Sequence, residues 1–149
     1  MGLCWSANTE YHGKKNFPYR EAAPLSIRLW MRLAGARVII QIVYSEESVP
    51  RSLEQYKERL ESLGDGGGAV VVKLVRAGDM DCVERAQIGR MFAYEAPEVA
   101  DGDVVMAADV DAFIMSKKVR SCATGRPATS FFYFNWGAPP HFSYLQHAL

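Results

Sequence analysis

Two rhythms of apolar residues organise the chain. Arg37-Val-Ile-Ile-Gln-Ile-Val43 and Ala69-Val-Val-Val-Lys-Leu-Val75 are β-branched and nearly continuous, as strands buried on both faces of a sheet are. Between such runs the apolar spacing changes to steps of three and four. Ile27, Trp30, Met31 and Ala34 fall at helical spacing, and Gly35 is placed to close that helix. Ser48 and Pro50 supply a helix start, after which Leu53, Tyr56, Leu60 and Leu63 recur with charged residues between them. Gly64-Asp-Gly-Gly-Gly68 stops this second helix. Asp81-Cys-Val-Glu84 has capping-box spacing and opens a third helix through about Tyr94, with Pro97 ending it. Its periodicity is loose: Ile88, Met91 and Phe92 share a face with Glu84 and Arg85 one turn above them. Asp101-Gly-Asp103 turns the chain into an apolar run at 104–108, a fourth strand, and Phe131-Phe-Tyr-Phe134 predicts a fifth. The residues at 3–6 read as a short opening strand. Strands separated by helices of this length imply crossover connections, so the expected fold is α/β, a mainly parallel sheet with helices on both faces.

The 149 residues fit one domain, 1–149, and 49% hydrophobic with 23% charged residues is a globular composition. Seventeen basic residues against seventeen acidic ones remove the net positive charge of a general nucleic-acid binder. No apolar run approaches the ~18 residues of a membrane span. Cys4, Cys82 and Cys122 are odd in number and widely spaced, which favours buried free thiols over a disulfide framework or a structural zinc site. Met1-Gly-Leu-Cys-Trp-Ser6 also fits an N-terminal acylation pattern, although a strand explains the same letters.

Candidate chemistry concentrates in Val104-Val-Met-Ala-Ala-Asp-Val-Asp-Ala-Phe-Ile114. Asp109 and Asp111 stand at the carboxyl end of an apolar strand, the edge where open α/β sheets bind ligands. Two carboxylates one residue apart can converge on a hard divalent cation such as Mg²⁺ or Mn²⁺, able to bridge a diphosphate and stabilise a departing phosphate. The same letters can also serve merely to cap a turn after a strand.

This segment resembles the Asp-x-Asp strand of glycosyltransferases with the nucleotide-diphospho-sugar transferase (GT-A) fold, a Rossmann-like core. Residues 25–43, a helix with Trp30 leading through Gly35 into a strand, are similar to the opening unit of such domains, and Arg90 lies on the helix before the Asp-x-Asp strand. The resemblance implies a UDP- or GDP-sugar donor, bound Mn²⁺ or Mg²⁺, and sugar transfer to an acceptor hydroxyl. It implies Asp111 as a direct metal ligand and Asp109 on the ribose and the metal. Arg90 would approach the sugar or phosphates. Ser6, Asn8 and Tyr11, in the loop after the first strand, would wall the base and ribose. His141, or else His147, would complete the metal site.

The chain departs from that pattern after Asp111, where 38 residues contain neither Asp nor Glu. A catalytic base would have to come from upstream or from elsewhere, and the acceptor-binding half looks missing. Hence the alternative of a non-catalytic nucleotide-binding or interaction module. A phosphatase of the haloacid dehalogenase type is disfavoured, because Phe113 stands where that pattern wants Thr or Val. The glycine run at 64–68 precedes a strand and lacks Gly-Lys-Ser/Thr, so it is a turn rather than a phosphate loop. Lys117, Lys118, Arg120 and Arg126 make the segment after the Asp-x-Asp basic, and the aromatic tail, if uncovered, favours self-association. The expected setting is a soluble domain, cytoplasmic, or Golgi-luminal within a longer anchored protein.

Overall fold

A computed structural model describes residues 1–5, 18–64 and 69–115, together with the backbone of 132–133. The sheet is built from β1 (Gly2–Cys4), β2 (Val38–Tyr44) and β3 (Val70–Arg76), all parallel, with β2 in the centre. Gln41 of β2 stands level with Gly2 on one side and Lys73 on the other. A parallel bridge between Gly2 and Asp109 sets the fourth segment against the free edge of β1. Along this edge the spatial order is therefore β3-β2-β1 and then the Asp-x-Asp segment. Just before it, β4 (Met106–Ala107) pairs in parallel with β5 (Phe132–Tyr133).

The helices divide between the faces as right-handed crossovers require when the chain reverses direction across a sheet. α1 (Tyr19–Leu29) and α2 (Arg51–Glu61) cover one face, and α3 (Cys82–Met91) lies on the other. Val38, Ile40 and Ile42 alternate onto the first face, where they meet Ala23, Ile27, Trp30, Leu53, Leu60, Val70 and Val72 in the main core. Each fully buried Ile or Leu there contributes roughly 2 kcal/mol by its removal from water. The α3 face is thinner: Val43, Ala77, Cys82 and Ala86 form its small cluster, with Cys4 and Val75 at the margin.

The expected helix around Trp30 begins earlier, at Tyr19, and finishes in a π turn, Trp30–Ala34. Pro24 inside α1 obscures this in the sequence, since an interior proline ordinarily argues against a helix. The missing Pro24 N–H would leave the Arg20 carbonyl without its helical donor. Tyr56 of α2 replaces it, donating its hydroxyl to the Arg20 oxygen at 2.6 Å. Gly35 closes the element at φ 64°, its N–H bonding the Met31 carbonyl and that of Ala36 the Trp30 carbonyl. Such a left-handed cap is a glycine position. Asp81 caps α3, its carboxylate accepting from the backbone N–H groups of Val83 and Glu84 at 2.8 and 3.1 Å. That helix ends at Met91 and continues as a 3₁₀ turn over Ala93–Glu95, short of Pro97.

Two expectations change. Cys4 and Cys82 are joined in a disulfide, with Cα atoms 5.4 Å apart, rather than standing as free thiols. The fourth strand shrinks to Met106–Ala107, the two residues that pair with Phe132 and Tyr133; β1 starts only at Gly2, level with Asp109, and offers residues 104–107 no edge. Gly2 is enclosed between Gln41 and Asp109, which favours a strand over an acylation signal at the start of the chain.

The Tyr56 bond gives a pH expectation. Burial, and then the Glu21 charge, push the Tyr56 pKa from 10.0 up to about 12, against smaller lowering effects from Arg59 and Arg20. The unfolded chain then loses this proton first, so the stabilisation is complete below pH 10 and is lost as pH rises towards 12. Because the phenol is partly open to water, the effect is about 1 kcal/mol. Urea melts of the wild type and of Tyr56→Phe at pH 9 and 11.5 check it: the wild type should lose more stability than the variant, and equal losses would remove Tyr56 as the cause.

Candidate functional site

The strand order places a topological switch point between β1, whose chain runs on towards β2, and the Asp-x-Asp segment that pairs on its other side. Crevices at the carboxyl ends of such strands are the ligand sites of open α/β sheets. Here that edge carries Trp5 directly after β1, the first turn of α1 with Tyr19 and Arg20, the start of α3 at Cys82, and Asp109 and Asp111.

The Asp-x-Asp residues sit in a tight turn. Ala112 N–H donates to the Asp109 carbonyl and Phe113 N–H to that of Asp111, both at 3.1 Å. The turn is anchored from α1 and the π turn, because Trp30 Nε1 donates to the Ala112 carbonyl oxygen at 3.0 Å and Ser26 Oγ to the same atom at 3.4 Å. Val110 and Ala112 drop into the main core, and this alternation leaves Asp109 and Asp111 on the other side of the chain. Trp30 and Ser26 thus fix the height and direction of both carboxylates. Their apolar and small-residue positions in the sequence read only as core, and no local signal distinguishes them.

Asp109 is not open to a ligand on all sides. Its carboxylate forms an ion pair with the guanidinium of Arg90, which is 9% exposed beneath α3 while Asp109 is 43% exposed. Arg90, expected to approach a donor's sugar or phosphates, stands here against Asp109. Its charge is felt nearby at the Met1 ammonium, which donates to the Ile39 carbonyl at 2.8 Å. Burial first, and Arg90 second, push that amine down to about 5. Asp111 lies near Tyr19, whose phenol is raised above its ordinary pKa first by burial and then by the Asp111 charge.

The other wall is aromatic and cationic. The Arg20 guanidinium lies 3.9 Å from the centre of the Trp5 ring and donates to the Trp5 carbonyl. Tyr56 packs against the same indole at 5.2 Å between ring centres. Arg20 thereby holds the chain as it leaves β1 for residues 6–17. Ser6, Asn8, Tyr11, His141 and His147 lie outside the described residues.

Among the described residues no group of three or more His, Cys, Asp or Glu converges as a metal site would. The Asp109 and Asp111 pair is what remains for a cation, with Asp109 shared by Arg90. Two clefts occur elsewhere. One of about 380 Å³ opens at the amino ends of the strands beside Trp30, Val38 and Met106. The other, about 360 Å³, lies between α3 and the sheet beside Gln41, Lys73 and Arg90. The switch point rather than either cleft is taken as the site, because it alone gathers the carboxylates at the carboxyl edge. No helix among the described residues is long and apolar enough to cross a membrane. No protein-family model, curated protein or solved structure matches the chain.

Proposed function

We propose that the domain binds a nucleoside-diphosphate sugar with Mn²⁺ or Mg²⁺ in the crevice between β1 and the Asp109–Asp111 turn, and transfers the sugar to an acceptor hydroxyl. The observation that carries this reading is the Gly2–Asp109 bridge, which sets an Asp-x-Asp pair at a switch point of a parallel sheet. The residues present suit a small hard cation. Mg²⁺ keeps several waters and needs only one or two protein carboxylates beside phosphate oxygens. Asp111 would be the carboxylate on the metal. Asp109, tethered by Arg90, would offer its remaining oxygen to the ribose or to a metal-bound water. Held in this way, a cation would supply positive charge against the diphosphate as it leaves. Arg90 sets the orientation of Asp109 from below.

A binding module without turnover is a second reading, favoured by the ion pair that already occupies one of the two carboxylates. Both readings share a first test, the thermal stability of the protein titrated with UDP or GDP, with and without Mn²⁺. At a hundredfold excess over Kd the nucleotide should add about 2.7 kcal/mol of stability. The metal-dependent part of that gain is the expected result, and its absence with every nucleotide tried would defeat both readings. Release of free nucleotide from a panel of sugar donors then separates them.

A further inference from the structure

The Cys4–Cys82 disulfide joins the last residue of β1 to the first residue of α3, across the edge of the candidate site. Its place in the fold decides what it stabilises. The two cysteines are 78 residues apart in sequence, a separation that would give a large loop-closure term in an unfolded chain. In the folded sheet, however, β1 and β3 are already held together through β2. From the end of β3 at Arg76 only a short connection reaches Cys82. The bond therefore restrains α3 far more than it restrains the sheet.

α3 needs that restraint. Of its ten residues it buries Cys82, Ala86 and Arg90, whereas Ile88 and Met91 are 41% and 65% exposed. A buried alanine methyl contributes only about 0.8 kcal/mol. α1 and α2, by contrast, bury Ile27, Leu53 and Leu60 completely. Among the described residues, α3 is thus held by a small cluster about Ala86, by its disulfide at one end and by the Arg90–Asp109 ion pair at the other. Among the described residues it is this one helix that covers the disulfide on the α3 face, so a thiol can reach it through a local opening of α3.

We propose that Cys4–Cys82 is a redox clasp that locks α3 onto the sheet when oxidised and releases it when reduced. The reductant is a glutathione-class thiol. Its thiolate attacks the sulfur of Cys4, the less buried of the two, forming a mixed disulfide and breaking the Cys4–Cys82 bond. The displaced Cys82 thiolate takes up a proton. A second thiolate attacks the thiol-bound sulfur of that mixed disulfide and releases Cys4 as a thiolate, which is protonated in turn. The protein disulfide gains two electrons, and two thiols become one small-molecule disulfide. Once reduced, Cys82 keeps only a weak acceptor, the Val43 carbonyl oxygen 3.2 Å from its sulfur. As α3 lifts, Arg90 leaves Asp109. The effect of this on a nucleotide rests on the function proposed above, whereas the release of α3 does not.

The test incubates the intact chain in glutathione buffers of graded poise, traps thiols by alkylation, and maps them by peptide so that Cys122 is scored apart. Hydrogen exchange is followed on the same samples. Cys4 and Cys82 should become alkylated together, with α3 amides losing protection while β2 and β3 keep theirs. Cys82→Ser should show the reduced pattern in every buffer. Affinity for the nucleotide with Mn²⁺ should fall by about fivefold or more on reduction, the lower end of coupling between sites. A disulfide that never forms, that yields only when the sheet unfolds, or whose loss leaves α3 protected overturns the clasp, and the wild-type exchange data decide this even if Cys82→Ser fails to fold. If nucleotide binds in neither state, the proposed function falls and the exchange data still decide the clasp.

Discussion

Gly2→Ala is expected to lower the melting temperature by about 10 °C and to push α3 off β1 beyond its disulfide-tethered first residue. A Cβ built on Gly2 overlaps the Ala86 carbonyl oxygen and comes within 3.0 Å of the Ala86 carbonyl carbon. Both atoms belong to the backbone of α3, so no rotamer change relieves the clash. Overpacking of this kind costs about 3 kcal/mol, which corresponds to roughly 10 °C in a domain of this size. The strand cannot yield either, since Gly2 is level with Gln41 on one side and bridged to Asp109 on the other. The helix must lift, and with it the Arg90–Asp109 pair. Gly89 is the instructive contrast. The three atoms nearest its added Cβ all belong to the far end of the Gln41 side chain, which can swing away, so Gly89→Ala should cost much less. Calorimetry on the two variants measures the difference, with hydrogen exchange locating the loss. If Gly2→Ala melts within a degree or two of the parent, the close approach of α3 to β1 is wrong.

Much of this architecture is readable from apolar spacing alone, where packing and local propensity agree. The two continuous β-branched runs are β2 and β3, the Leu53–Leu60 stripe is the buried side of α2, and Asp81 caps α3 as its spacing implies. What sequence reading misses depends on contacts between distant residues. Cys4 and Cys82 meet because β1 and the start of α3 share one edge, a fact of topology that cysteine counting cannot supply. The start of α1 is hidden because Pro24 breaks the local rule, and the repair comes from Tyr56 on another helix. Asp109 and Asp111 are visible as a pair of carboxylates after an apolar strand. The partner of Asp109 is not: Arg90 is expected against a donor's sugar or phosphates, and the weak apolar periodicity of its helix does not show which way it faces. The same weak periodicity that blurred α3 in the sequence is the physical reason it is loosely held in the structure.

Asp111→Ala should leave the free protein close to its parent in stability and remove the metal-dependent gain on adding nucleotide. No ion pair of Asp111 is found among the described residues, and the turn that carries it is held by backbone bonds to Asp109 and by Trp30 and Ser26. Those bonds survive truncation of the side chain. If Asp111 is the carboxylate on the metal, its loss removes most of the gain of about 2.7 kcal/mol expected at a hundredfold excess of nucleotide. Asp109→Ala should behave in the opposite order. It removes a carboxylate partner from a guanidinium that is 9% exposed, and the cost to that buried charge appears before any ligand is added. Removing one member of a buried pair costs ~3–5 kcal/mol. Because Asp109 itself is 43% exposed and partly screened, the expected loss is smaller, about 1–2 kcal/mol. The two variants therefore separate a metal ligand from a carboxylate held for structure. Denaturant melts of both, with and without UDP or GDP and Mn²⁺, give four numbers. A metal-dependent shift that survives Asp111→Ala would move the metal elsewhere. An Asp109→Ala protein as stable as its parent would mean that the Arg90 pair does not hold α3 to the sheet.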